Sequence, residues 1–211
     1  FVKQVGGAEL NVAVGAALLG LHTGVISKLP AHDIGSFMKG KIRSFGVSDD
    51  FFMYDQSSSA RVGIYYYENG AYPRKPKVIY DRNNSSFFSL NIDEIPEEVY
   101  TASKCFHTTG ITLALNEDIR ETTIDMNKRF KAAGTLVSFD VNFRGNLWTG
   151  DEARECILRI LPYVDIFFCS EDTARLTFLK TGTAREMMKS FTEEFPISIV
   201  ASTQRIVHSP K

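Results

Sequence analysis

This sequence has few of the features that mark metalloproteins, nucleic-acid-binding proteins and membrane proteins. Its three cysteines, Cys105, Cys156 and Cys169, and its four histidines show no metal-ligand spacing, so we expect no transition-metal site. We interpret the cysteines as small core residues of a protein from a reducing compartment, the cytoplasm. A formal net charge of −1 offers no basic field to nucleic acid or membranes. No apolar run approaches the ~18 residues of a membrane-spanning helix.

Two common phosphate-binding loops are missing as well, since the chain contains neither GxxxxGK[ST] nor GxGxxG. It does contain VGGAELNVAVGAALLG, residues 5–20, which is apolar on every side from Val12 to Leu19. That pattern predicts a helix buried all round. Polar or flexible residues nevertheless stand at its entrance, namely Gly6, Gly7, Glu9 and Asn11.

These entrance residues suit a ligand. A helix N-terminus presents unpaired N–H groups with a partial positive charge, and glycine lets a ligand approach the backbone closely. Asn11 offers both a donor and acceptors, which suits sugar hydroxyls. The alternative is a tight turn in which Asn11 caps the helix.

The rest of the chain predicts an α/β fold. Its composition, 44% hydrophobic and 23% charged over 211 residues, is ordinary for a globular protein. From residue 104 onward, predicted strands alternate with predicted helices; the strands are KCFHTTG, LVSFDVN, DIFFCS and ISIVAST. The N-terminal part continues this pattern with helices at 8–19 and 33–45 and a strand around VISKL. Strict alternation predicts a parallel sheet covered by helices on both faces.

Residues 50–87 have a different composition from the rest of the chain. The runs DFFMYD, ARVGIYYYE and KVIYD are aromatic and β-branched, and no helix-length pattern separates them. We predict an antiparallel β-sheet of residues 50–87 attached to an α/β core of residues 1–49 and 88–211. Tyr65 and Tyr67 share one face of a strand, as do Tyr80 and Arg82. Such a sheet suits a lid over a hydroxylated ligand or an oligomer interface, and the two roles are compatible on opposite faces.

The segment SFDVNFRGNLW carries three alternating polar residues, Asp140, Asn142 and Arg144. We expect them to point to one face at the C-terminal end of a strand, where open parallel sheets bind ligands. An arginine there can bind a carboxylate or a phosphate through two hydrogen bonds. The alternative is a structural salt bridge between Asp140 and Arg144. In WTGD nearby, Asp151 opens a helical pattern and is expected to be its N-cap.

Taken together, these segments resemble one family. GGAELNVAVGAALLG resembles the N-terminal signature of the ribokinase-like (PfkB) carbohydrate kinases. YDRNNSS, TTGITLAL and DVNFRGNLW resemble further blocks of that family, in the same order and over essentially the whole chain. Among its branches, the sequence is most similar to the 2-keto-3-deoxygluconate kinases. The resemblance implies a Rossmann-like ribokinase fold whose mostly parallel sheet is flanked by helices, and a small β-sheet lid that commonly also forms a homodimer.

The resemblance also implies an activity, the transfer of the γ-phosphoryl group of ATP, with Mg²⁺, to a hydroxyl of a sugar. The substrate-binding residues it implies are Gly7, Asn11, Tyr65, Tyr80, Arg82, Ile111 and Arg144. We add Asn142, from the polar segment described above, to these candidates. Two cations near one ligand, Arg82 and Arg144, favour a sugar acid such as ketodeoxygluconate over fructose or ribose. If Arg82 instead pairs with a carboxylate of the lid, the alternative substrate is a neutral sugar such as fructose or ribose. A sugar-binding protein without catalysis is a further alternative.

The sequence departs from the family in two places. The family's catalytic aspartate lies in a GxGD segment, and the 211 residues contain none, so we expect that aspartate beyond Lys211 and a core domain incomplete at both ends. We therefore expect no phosphoryl transfer by these residues alone. SEDT, residues 170–173, stands where members usually have the Asn-x-x-Glu that organises magnesium and phosphate. Ser170 and Thr173 carry no charge there.

Overall fold

The structure is a computed structural model that describes residues 2–203. By their internal contacts the residues form two units, Phe1–Pro96 and Glu97–Lys211. Both units contain parallel strands connected by helices, which is the arrangement that the alternating pattern predicts. The predicted α/β fold with a mostly parallel sheet is confirmed.

The first unit is built on two short parallel pairs of strands. Its elements in chain order are α1 (Ala8–Leu18), β1 (Thr23–Gly24), β2 (Ser27–Pro30), α2 (Asp33–Arg43), β3 (Val47–Ser48), β4 (Phe52–Asp55), β5 (Ile64–Glu68) and β6 (Lys77–Asp81), followed by 3₁₀ turns at Ser86–Ser89 and Ile92–Glu94. Strand β1 pairs in parallel with β3, and β2 with β4. Helix α2 connects the two members of each pair, because a parallel pair needs a crossover.

Helix α1 packs on the core of this unit through one side only. The core consists of Leu10, Leu29, Ile42, Val47 and Phe52, and Leu10 is the buried residue of α1. By contrast, Leu18 is 80% exposed and Val12 48%. The prediction of a helix buried all round is therefore wrong for the described residues. An apolar sequence permits burial on every side, but a neighbouring layer is needed on each side to provide it.

Strand β4 pairs differently from the prediction. The run DFFMYD was expected in the antiparallel sheet, yet β4 pairs in parallel with β2, with Phe52 opposite Ser27. The reason is that α2 returns the chain to run in the same direction as β2. Strands β5 and β6 do pair antiparallel, and we call them the hairpin. The division into a core and a lid of residues 50–87 stays a prediction.

The second unit contains a four-stranded parallel sheet in the order β10-β9-β8-β7. Its elements are α3 (Glu98–Ala102), β7 (Cys105–Thr109), α4 (Gly110–Leu113), α5 (Glu117–Ala132), β8 (Leu136–Asp140), α6 (Gly150–Leu158), a 3₁₀ turn (Leu161–Tyr163), β9 (Ile166–Phe168), α7 (Glu171–Leu176), α8 (Ala184–Glu194) and β10 (Ile199–Ala201). Consecutive strands are neighbours, as short helical crossovers favour. All four predicted strands of this part are present.

The two faces of this sheet differ in burial. On one face, Phe106 stacks on Phe130 of α5, and Phe167 contacts Phe191 of α8. On the other face, Phe168 is 40% exposed and Ile199 is 55% exposed. Burial on that face is uneven, since Ser138 of the neighbouring strand is only 6% exposed. Strand–helix alternation shows that helices cross a sheet, but it does not show which face each helix takes.

The cysteines are only partly core residues. Cys156 and Cys169 are buried, whereas Cys105 is exposed at the start of β7, and all three are free thiols. Burial raises the pKa of Cys169 to about 12, so this thiol stays protonated and unreactive.

One helix cap also differs from the prediction. The N-cap of α6 is Thr149, which forms a reciprocal capping box with Glu152. Asp151 lies in the first turn and pairs with Arg154 at 3.1 Å. Among residues 2–203, every helix is too short or too polar to span a bilayer.

Candidate functional site

In the first unit, the entrance to α1 lies against the hairpin. A methyl group placed on Gly6 would lie 2.9 Å from the hydroxyl oxygen of Tyr65. Real side chains do not approach so closely, so the Tyr65 hydroxyl would have to shift to accommodate a larger residue at position 6. The structure thus brings together two segments that the sequence separates by more than fifty residues.

Gly7 is the N-cap of α1, and it offers no side chain to the N–H groups of the first turn. Asn11 lies one turn inside the helix, where its backbone N–H donates to the carbonyl of Gly7 at 2.9 Å and the residue is exposed. The alternative that Asn11 caps the helix is therefore wrong. A methyl group on Gly7 would make only an ordinary contact, 3.6 Å from Cβ of Leu10, so protein packing alone does not require a glycine there.

The strand pairing places Tyr65 opposite Tyr80 on one side of the hairpin. Their ring centroids lie 6.2 Å apart, and the guanidinium of Arg82 lies 4.6 Å from the centroid of the Tyr80 ring. This is cation–π distance. We call Tyr65, Tyr80 and Arg82 the hairpin face; it is a polar-tipped aromatic surface beside Gly6.

Arg82 forms no ion pair within residues 2–203, and the carboxylates of the hairpin have other partners. Asp81 pairs with Arg61 at 2.8 Å, and Glu68 pairs with Arg74. The alternative in which Arg82 neutralises a lid carboxylate is therefore not what the structure shows. The half-buried Arg82 is therefore available to a negatively charged ligand.

In the second unit, β8 ends at Asp140, whose carboxylate accepts a hydrogen bond from the N–H of Asn142 at 3.0 Å. Asn142 then adopts a φ of +38°, which few residues other than glycine and asparagine tolerate. The expectation that Asp140, Asn142 and Arg144 share one face of a strand is therefore wrong, because the chain turns after Asp140. Arg144 is exposed and donates to the carbonyl of Phe143 at 3.2 Å, and no ion pair joins it to Asp140 in the described chain.

Ile111 lies next to this turn. A methyl group on Gly110 would lie 2.1 Å from the carbonyl oxygen of Val141, so the start of α4 touches the backbone that follows β8. The half-buried Ile111 is the next residue, and its N–H donates to the hydroxyl of Thr109 at 3.3 Å. The second unit thus brings Ile111 and Asn142 together at the carboxyl ends of neighbouring strands.

The described residues do not fit a protein-bound magnesium ion. Ser170 caps α7, and its hydroxyl lies 2.8 Å from that of Thr173, so the two groups satisfy each other. Between residues 2 and 203, no group of three or more His, Cys, Asp and Glu side chains is placed to hold a metal. We therefore assign Mg²⁺ to no residue.

Sequence reasoning missed a polar network at the base of the hairpin. The buried Ser86 donates to Asp55 at 2.8 Å, and its hydroxyl accepts from the N–H of Arg61 at 3.2 Å. Hydrogen bonds from the N–H and hydroxyl of Ser57 lower the pKa of Asp55 below its ordinary value, so the carboxylate is stable as an acceptor. No local motif could have revealed this network, because its members lie on separate segments.

Comparison with known proteins covers both units. A sequence profile described as pfkB family carbohydrate kinase matches residues 1–204. The 2-dehydro-3-deoxygalactonokinase of Haloferax volcanii is 34% identical over 201 residues, which are 95% of this chain and 62% of that protein. Fructokinase-1 of Zea mays is 33% identical over 172 residues, covering 81% of this chain and 52% of that protein.

The crystal structure of 2-dehydro-3-deoxygluconokinase from Thermotoga maritima matches with a TM-score of 0.85 at 31% identity, covering 93% of this chain and 61% of that one. The chain thus spans between 52% and 62% of the length of these relatives. The family profile covers all four segments on which the resemblance rests, from the glycine-rich entrance to DVNFRGNLW. The chain belongs to the pfkB family of carbohydrate kinases.

Proposed function

We propose that this chain is the sugar-binding part of an ATP-dependent kinase. That kinase transfers the γ-phosphoryl group of ATP to a hydroxyl of a sugar acid, 2-keto-3-deoxygluconate. Two of the similar proteins named above act, by their names, on 2-keto-3-deoxy sugar acids. The observation that carries the choice of an acid is the charge of Arg82, which no carboxylate within residues 2–203 neutralises. A ligand carboxylate is its natural partner, because hydrogen bonds between charged groups are the stronger kind.

We assign each part of the first unit a role in holding the sugar. The first turn of α1 and Asn11 meet its hydroxyls, since N–H groups and an amide supply donors and an acceptor. Tyr65 and Tyr80 pack against the ring with their rigid surfaces, and Arg82 binds the acid group. These residues bind and orient the sugar, and orientation is a large part of catalysis in phosphoryl transfer.

Ile111, Asn142 and Arg144 of the second unit remain proposed sugar-binding residues. Ile111 supplies an apolar contact, and Asn142 an amide on a turn held by Asp140. Arg144, exposed and without a carboxylate partner in the described chain, meets the acid group or the transferring phosphate. ATP is the proposed phosphoryl donor, and Mg²⁺ accompanies its phosphates.

Calorimetric titration of the protein with ketodeoxygluconate and with fructose tests the proposal without requiring turnover. We expect ketodeoxygluconate to bind at least about 10-fold more tightly, the gain from a charge-assisted contact that fructose cannot make. Tighter binding of fructose would reject the acid and favour a fructokinase-type activity, which the similarity to the maize enzyme makes the second candidate. Failure of both sugars to bind would contradict a sugar site altogether.

We also propose a homodimer formed through the other side of the hairpin. Tyr66 and Ile79 face each other there and are 50% and 52% exposed, forming an apolar patch. Replacing Ile79 with lysine is expected to convert dimer to monomer in light scattering, because a buried unpaired charge opposes association. Leu158→Lys, at a residue 40% exposed on α6, is the control and is expected to leave the mass unchanged. A wild-type monomer at all concentrations would contradict the dimer.

We place the protein in the cytoplasm. Its three cysteines are free thiols, which persist in a reducing compartment. The proposed use of ATP is consistent with that location.

A further inference from the structure

The guanidinium of Arg61 spans the base of the hairpin, where the chain leaves β6. It donates to the carbonyl of Asn83 at 3.0 Å and to the carbonyl of Asp81 at 3.3 Å. It also pairs with the carboxylate of Asp81 at 2.8 Å. The two carbonyl groups belong to the residues immediately before and after Arg82, so one side chain holds the backbone on both sides of that residue.

The backbone of Arg61 is itself anchored to the body of the unit. Its carbonyl accepts from the N–H of Ser86 at 2.8 Å, and its N–H donates to the hydroxyl of Ser86 at 3.2 Å. Ser86 is buried and donates to Asp55, at the end of β4. Arg61 therefore has fixed contacts on the core side and donates through its guanidinium to the hairpin side.

The hairpin needs such an anchor. Every residue of β5 and β6 is exposed, and an isolated two-stranded hairpin is only marginally stable in water. At Gly63 the strands approach so closely that a methyl group would lie 3.0 Å from Cβ of Arg82. The position of Arg82 is thus set at the base of the hairpin, where the contacts of Arg61 lie.

We propose that Arg61 is a positioning residue that holds Arg82 in the orientation that binds the sugar acid. This inference rests on the proposed function. Arg61 need not touch the sugar, because its guanidinium is occupied by the backbone and carboxylate of the hairpin. Glutamine at this position would lose the charge and most of the donors. Lysine would keep the charge but cannot donate to both carbonyls from one fork.

The test measures ketodeoxygluconate affinity in the full chain for Arg61→Gln, Arg61→Lys and the matched control Arg74→Gln. Arg74 is also a hairpin arginine with a carboxylate and a carbonyl partner, but its partners are Glu68 and Asn69 at the tip. We expect about a 10-fold loss for Arg61→Gln, a smaller loss for Arg61→Lys and no change for Arg74→Gln. Unchanged affinity in Arg61→Gln would overturn the proposal.

A double variant separates positioning from a general structural role. If Arg61 acts through Arg82, then Arg61→Gln made in an Arg82→Gln background costs less than about a further 2-fold in affinity. A full additional 10-fold loss in that background would show that Arg61 acts elsewhere and would also overturn the proposal. The melting temperature is expected to stay within about 2 °C of wild type, because the network lies outside the core cluster.

Hydrogen exchange distinguishes failure of this inference from failure of the proposed function. In Arg61→Gln we expect the amides of residues 79–83 to exchange several-fold faster, with no such change in Arg74→Gln. If the wild-type protein binds no sugar acid, the proposed function fails while the exchange data still decide the role of Arg61. Unchanged exchange at residues 79–83 would overturn it.

Discussion

Replacing Arg82 with glutamine is expected to weaken binding of ketodeoxygluconate by about 10- to 100-fold, the range for losing hydrogen bonds to a charged group. The reason is that Arg82 has no carboxylate partner in residues 2–203 and lies over the Tyr80 ring. Glutamine keeps a polar side chain but is shorter and removes the charge. Affinity for fructose is expected to change little, because fructose has no carboxylate for Arg82 to bind. Parallel calorimetric titrations of the two sugars measure both effects.

The control for this prediction is Arg74→Gln, which removes one positive charge from the same hairpin. Arg74 is paired with Glu68, so its loss changes the charge of the hairpin without touching the hairpin face. We expect its affinity for ketodeoxygluconate to equal that of the wild type. Equal losses in the two variants would mean that the overall charge of the hairpin, rather than Arg82 itself, attracts the sugar acid.

Gly110→Ala is expected to lower the free energy of unfolding by about 2 kcal/mol or more, as overpacking against backbone does. The added methyl group would lie 2.1 Å from the carbonyl oxygen of Val141 and 3.4 Å from the Trp148 ring. The carbonyl cannot move without displacing the turn that begins at Asp140. Urea denaturation followed by fluorescence of Trp148, the sole tryptophan, measures the change.

Gly40→Ala is the matched control, since the same substitution is made in the middle of helix α2. No atom lies within 4 Å of the position its methyl group would take. Alanine is therefore expected to stabilise that helix by about 0.5 to 1 kcal/mol, the usual helix preference over glycine. A Gly110→Ala protein as stable as the wild type would contradict the close packing of α4 against the end of β8.

Local patterns predicted the elements well where the signals are local. Helix α8 begins at a capping box between Thr183 and Glu186, and α5 is followed by Gly134 at a φ of +82°. Both are signals that a few neighbouring residues carry. The four strands β7 to β10 also followed from their apolar runs, whereas their order in the sheet was not predicted.

Properties that depend on distant partners were not predictable in this way. The aromatic run of β4 indicates a strand but not its partner, which the path of α2 decides. The apolar sequence of α1 indicates a helix but not how many sides the rest of the unit covers. The pairing of β4 and the burial of α1 both depend on contacts with segments elsewhere in the chain. The periodicity of a segment does not indicate such contacts.

The same distinction between local signals and distant contacts applies to the residues of the candidate site. Gly7, Asn11 and Arg82 were predicted as candidates because their residue types stand out in short motifs. Arg61 was not among them, because its contacts with residues 81–83 arise only when strand pairing brings these segments together. Its sequence surroundings resemble those of any exposed arginine at the start of a strand.

A crystal structure of the protein with ketodeoxygluconate tests the central claim most directly. We predict the sugar beside the entrance to α1, with its carboxylate bound by the guanidinium of Arg82 and a hydroxyl bound by Asn11. A sugar found elsewhere, or bound with Arg82 directed away from its carboxylate, would contradict the account.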